Sequence, residues 1–218
     1  MIKEDFLWIL ALILVLFLML SPFTADTFTE LNNNHPYLLG FLKFFILASM
    51  GELLAIRLNL GRYKLPPYMP IRMIIWGLVG VMIVFFFAML PVGIRAMMER
   101  GMLPGKPGGF LQAFYISFIM NFTFGIAFMA GHRISDAYLD NLHEGKKGIH
   151  EAIRKPDWNH FFSFVVLKTI PFFWVPAHTL TFLIPPLYRV IVAALLSIAL
   201  GLILAFAKQK KGPSHVTD

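Results

Sequence analysis

Six apolar stretches, each close to the ~20 residues that a helix needs to cross a bilayer, dominate this chain. They run approximately Phe6–Thr24, Tyr37–Ile56, Met73–Ile94, Phe110–Gly131, His160–Phe182 and Leu187–Ala207. Proline, glycine or charge bounds each one, as at His35-Pro36, Pro66-Pro67, the Pro104–Gly109 run and Pro185-Pro186. In hydrocarbon every backbone polar group must be satisfied internally, so stretches of this length are expected to be helices. The pattern predicts an all-α fold: a polytopic membrane helical bundle of about six transmembrane helices, residues 1–218 forming a single domain. Composition agrees, with 58% hydrophobic and 14% charged residues against about 45–50% and about a quarter in soluble domains.

The distribution of basic residues orients the bundle, because lysine and arginine are retained on the cytoplasmic side. With the N-terminus inside, the inner segments carry Lys3, Arg57, Arg62, Lys64, Arg72, Arg133, Lys146, Lys147, Arg154 and Lys155. They also carry Lys208, Lys210 and Lys211, while the outer segments hold Arg95, Arg100, Lys106 and Arg189. A multi-pass protein of the cell membrane, with both termini cytoplasmic, follows. This placement accounts for the net charge of +7 without nucleic acid as a partner; the bilayer is the partner expected. A signal peptide is the alternative for the first stretch, but its start, Met1–Asp5, is not net positive and its apolar core is long for one. Residues Ala25 to His35 are expected to be a solvated connector, and residues 132–158 a cytoplasmic loop with an interfacial helix. Cysteine is absent, which excludes disulfides, thiolate metal sites and a cysteine nucleophile.

Ionisable and polar groups at membrane depth are expensive and mark candidate sites. Glu52 shares a helical face with Ala48 and Ala55, so it is expected to look into the bundle. Lys43 lies roughly half a turn away around the same helix. Lys168 on the fifth span is the expected ion-pair partner of Glu52, with snorkelling lysines as the alternative. The fifth span carries Pro171 and Pro176 on either side of Trp174, followed by His178, Thr179 and Thr181. Each proline removes a backbone donor, so a twice-broken helix lining a path is expected, with Thr169 and His178 beside it. Asn121, in a Ser117–Asn121–Gly125 stripe, is either interhelical glue or a pore ligand. Arg189 heads a close-packing ridge through Ala193, Ser197, Gly201 and Ala205. These residues, Lys43, Glu52, Asn121, Lys168, Pro171, Trp174, Pro176, His178 and Arg189, form the expected charged and pore-lining set.

His132, Asp136, Asp140 and His143 fall near one face of a helix, a spacing compatible with a divalent metal as well as with a solvated face. No glycine-rich phosphate loop, serine elbow or histidine-glutamate zinc motif is present, so no cofactor is expected.

Several residues together resemble a known family. Pro156-Asp157-Trp158, Trp174-Val175-Pro176-Ala177, Phe182, Pro185 and Tyr188-Arg189 are similar to the C-terminal signature of the small peroxisomal and inner-mitochondrial membrane proteins. Gly51-Glu52 resembles that family's glycine-aspartate motif, and Arg72, Gly77 and Gly80 its arginine and glycine pattern. The likeness covers roughly Leu42 to Ala207 and is that of a distant, bacterial-type member. Val175 interrupts the tryptophan-proline pair, Thr181 replaces an asparagine, Ile56 a glutamine, and Arg189 comes one residue early. The resemblance implies a small channel or metabolite pore. From the residues alone, three readings stand: a channel or transporter for ions or small solutes, a membrane-embedded enzyme using His and acidic groups, and a structural or assembly protein. A homo-oligomer is compatible with all three.

Overall fold

The computed structural model describes residues 3–210, with side chains through Ala199 and at Leu202. It is helical throughout. Helices α1 (Lys3–Leu20) and α2 (Ala25–Asn34) precede α3 (Pro36–Leu60) and α4 (Met69–Glu99). A long helix, Gly109–His143, comprises α5 (Gly109–Met120), a π-helical turn at Asn121–Gly125 and α6 (Ile126–His143). The short α7 (Ile149–Arg154) follows. A second continuous helix, Trp158–Leu183, comprises α8 (Trp158–His160), a π segment at Phe161–Trp174 and α9 (Val175–Leu183). Last comes α10 (Pro186–Lys210).

Local sequence sets these boundaries. Pro36 opens α3 in its first turn, where its missing N–H costs nothing, and Gly61 ends that helix in the left-handed conformation at φ 73°. Pro186 opens α10 in the same way.

Four of these helices, α3, α4, Gly109–His143 and Trp158–Leu183, are long and apolar enough to cross a membrane. The pair α1 and α2, bent by 77°, supplies a fifth if it is one span. Helix α10 is apolar over Pro186–Ala199, and the sixth expected stretch extends beyond the residues whose side chains are described. The helical membrane bundle therefore stands, at four or five spans rather than a demonstrated six.

Three local expectations change. Residues Ala25–Asn34 are an amphipathic helix instead of a free connector, with Phe28 buried. Residues 132–158 are not a separate interfacial element, because the fourth span's helix continues unbroken to His143 and α7 packs back on it. Lys155 ties the two with hydrogen bonds to Asn141 (3.0 Å) and Glu144 (3.3 Å). The fifth span is not broken. It widens to π geometry across Pro171 and returns to α geometry at Val175–Pro176, the wider register letting the helix run on past both missing donors.

Small residues bring the helices together. A Cβ on Gly80 would meet the Gly40 carbonyl, and one on Gly77 the Phe41 ring, so α3 and α4 cross almost backbone to backbone. Gly51 abuts Ser197 and Ile198 of α10. The principal core lies toward the end of the bundle that holds Lys43, with Phe87, Ile94, Met98, Ile116, Phe182 and Ile191 buried together. Replacing Gly80 by alanine should lower the thermal midpoint in detergent, since overpacking against backbone costs about 1–3 kcal/mol. Gly93→Ala, at a helical position with open space around it, should be neutral or stabilising. Equal effects of the two would contradict the crossing.

Candidate functional site

Arg72 is the hub of the site. It lies in the first turn of α4, 4% exposed, and its donors face three elements. Nε donates to the Pro67 carbonyl (3.0 Å), Nη1 to Asp136 Oδ1 (2.6 Å) and Nη2 to Asp140 Oδ1 (2.6 Å). Glu52 Oε1 stands 3.6 Å from Nη1. The Pro67 contact follows from Tyr68, which takes a left-handed conformation (φ 56°) rare for a residue with a side chain and folds the Pro66–Pro67 run over Arg72. Trp76, one turn further along α4, shares the face of Arg72 and donates from Nε1 to Glu52 Oε2 (2.8 Å). His132 Nδ1 lies 3.2 Å from Asp136 Oδ2, and its ring stacks obliquely on Trp76 at 4.2 Å. One guanidinium thus joins a carboxylate of α3 to two of α6, and the cluster retains more negative than positive charge.

Above this cluster lies a cavity of about 500 Å³. Its mouth carries His132, Arg133, Asp136 and the exposed His160. Its walls are mostly apolar, and its deep end reaches Asn121, Thr169, Trp174 and His178. The two π segments flank it: Asn121 and Gly125 come from one, Thr169 and Trp174 from the other. A π turn shifts side chains relative to the regular ladder and is frequent at functional sites.

At the deep end a hydrogen-bond chain fixes His178, which is 6% exposed. Ser117 Oγ donates to the Val175 carbonyl (2.7 Å), and Asn121 Nδ2 donates to the Ser117 carbonyl (2.8 Å). Asn121 Oδ1 is then the acceptor facing His178 Nδ1 at 3.2 Å. Nδ1 therefore carries the imidazole proton, and Nε2 is left as an acceptor. No described residue occupies Nε2, and the ring also stacks on Trp174 at 5.3 Å. The indole Nε1 of Trp174 is buried without a hydrogen-bond partner.

Of the residues expected to line a path, Glu52, Asn121, Trp174 and His178 meet in this cavity, with Thr169. The others do not. Lys168 is exposed on the outside of the bundle and does not pair with Glu52, whose partners are Trp76 and Arg72. Lys43 is buried toward the opposite end, donating to Asn32 Oδ1 (2.6 Å) and lying 4.8 Å over the Phe28 ring of α2. Arg189 donates to the Ile184 and Phe182 carbonyls (2.9 and 3.0 Å), which have lost their helical partners at the end of α9. Pro171 lies away from the walls, and Pro176 is exposed. His132, Asp136, Asp140 and His143 do share a helix, but Arg72 takes the two aspartates and His143 packs against Tyr68. Among the described residues no group of three or more His, Asp or Glu is arranged to hold a metal.

Arg72, Trp76, Arg133 and His160 were not singled out from sequence as site residues. The signals that pointed to Arg72 were its place in the family likeness and its spacing from Trp76, four apart at the start of an apolar helix. No known protein family, curated protein or solved structure matches the chain.

Replacing Arg72 by methionine would leave Glu52, Asp136 and Asp140 without their common counter-charge. Breaking a buried pair by removing one partner costs about 3–5 kcal/mol, so R72M should unfold far more readily in a denaturant titration. Asp140→Asn, at the most exposed carboxylate of the cluster, should cost less than about 1 kcal/mol. Comparable losses would remove Arg72 from the centre of the site.

Proposed function

We propose that this integral membrane protein is a gated passage for a small solute or ion, of the channel or transporter class. The observation that carries the reading is the cavity. It penetrates to Asn121 and His178 inside the bundle, holds ionisable groups at its mouth and depth, and is closed beyond them by the packed core around Phe87 and Ile116. A protein that only scaffolds has no need to keep Glu52 and His178 facing such a space. Closure at one end supports a carrier-like or gated path over a permanently open pore.

In this reading both termini and the Arg72 end are cytoplasmic, α1 and α10 complete six spans, and the protein belongs to the cell membrane. The likeness of Gly51-Glu52, Arg72, Gly77 and Gly80 to the small peroxisomal and inner-mitochondrial membrane protein pattern supports it. Those residues form the helix crossings and the carboxylate–guanidinium contact here. A second reading, a membrane-embedded acid–base enzyme, draws on the amide-oriented His178 with its free Nε2. Glu52 pairing with Trp76 and Arg72 rather than Lys168 gives the purely structural reading less support.

Purified protein in liposomes should pass ions or small solutes faster than protein-free vesicles. Glu52→Gln should change the rate or the selectivity at least threefold. Absence of flux under any applied gradient of inorganic ions, amines, carboxylates or neutral solutes would overturn the reading.

A further inference from the structure

We infer that the occupant of this cavity is an organic amine in its cationic form. The inference rests on the cavity being a solute site, and three independent features select the charge and type of solute.

The first feature is the local charge. Glu52 and Asp136 line the cavity, and with Asp140 behind them they share the single guanidinium of Arg72. The cluster has two negative charges in excess, and one when the guanidinium of Arg133 at the mouth is counted with it. The cationic wall residue at the mouth, Arg133, lies over the Phe161 ring at 5.3 Å instead of pairing with these carboxylates. A cation entering the mouth is therefore attracted and an anion repelled, the more strongly because the surroundings are of low dielectric.

The second feature is the wall. Phe44, Trp76, Phe124, Phe128, Phe164 and Trp174 present aromatic rings to the space. Ring faces attract cations and receive hydrocarbon equally well, which fits an alkyl- or arylamine. A bare divalent metal ion needs a shell of oxygen or nitrogen ligands, and among the described residues no group of three or more His, Asp or Glu is arranged as one.

The third feature is the deep end. His178 is buried, its proton is committed to Asn121, and Nε2 has no partner among the described residues. That lone pair asks for an N–H or O–H donor. A carboxylate placed there would meet another acceptor, with no lysine or arginine among the deep walls to compensate. An amine group answers Glu52, and a further N–H or O–H donor on the same molecule answers His178, whereas a carboxylate offers neither of them a donor.

The test compares three probes of nearly one shape at pH 7: 4-(2-aminoethyl)phenol, 4-(2-hydroxyethyl)phenol and 3-(4-hydroxyphenyl)propionate. Binding is measured calorimetrically on the full chain in phosphatidylcholine nanodiscs, with empty nanodiscs as the blank for partitioning into lipid. The amine should bind saturably, at least tenfold more tightly than the alcohol or the carboxylate. Glu52→Gln should weaken it at least tenfold. His178→Gln, which lies away from the Arg72 cluster, should weaken it several-fold with the melting temperature retained, so the inference stays testable if Glu52→Gln fails to fold. Equal or tighter binding of the carboxylate, no saturable amine binding, or amine binding indifferent to both substitutions would overturn it. Amine binding without flux in liposomes would leave the occupant standing and remove the transport reading. Flux with no preference for amines would do the reverse.

Discussion

The Arg72 guanidinium is the interaction on which the arrangement depends. Burying a charge is costly unless it is paired and hydrogen-bonded, and Arg72 meets that condition with a backbone carbonyl and carboxylates from two other helices. It thereby joins α4 to α6 at a place where the two pack sparsely, and it holds Glu52 at the wall of the cavity. Removing the charge frees three carboxylates at once, so geometry and electrostatics of the mouth fail together. Position, more than net stability, is what such a buried ion cluster provides.

The two ends of the bundle are built on opposite rules. Toward Lys43 the helices close on glycines and a continuous apolar core, and α2 folds over the lysine with Phe28 and Asn32. Toward Arg72 the α3–α4–α10 group separates from the Gly109–His143 and Trp158–Leu183 helices, and the Arg72 ion pairs bridge α3 and α4 to α6. The two π segments touch and lie together on the side of that space made by the second pair of helices. A lipid-facing helix surface gains little from burial, so small-residue contacts decide where helices touch, and their loss toward one end leaves room for the cavity.

Much of the fold was legible in the sequence because hydropathy and length carry it: the helical membrane class follows from spacing alone. Glu52, Asn121 and His178 could be singled out because polar groups at membrane depth need a reason to be there. The same rule misplaced Lys43, Lys168 and Arg189. Their side chains are long enough to leave the depth of their own Cα, and Arg189 uses that reach to satisfy carbonyls at a helix end. Arg72 stood out only as an orientation signal and as part of a family likeness, because the three carboxylates it meets lie far away in sequence. The π segments have no hydropathy signature. Pro171 suggested a break, yet shifting the hydrogen-bond register lets the helix continue past a missing donor. The helical face of His132, Asp136 and Asp140 was readable, but not that a guanidinium instead of a metal would occupy it.

A wet cavity entered from the Arg72 end alone is what distinguishes a gated passage from a sealed scaffold. The chain has no cysteine, so an introduced thiol is an unambiguous probe. Ser197→Cys places one on the cavity wall, and Ser49→Cys places one at a buried position of α3 outside it. A membrane-impermeant, charged thiol reagent applied from the Arg72 side of oriented vesicles should label the cysteine at 197 and spare the one at 49. The same reagent from the Lys43 side should label neither. Labelling at 197 only from the Lys43 side, or from neither side, would contradict the account.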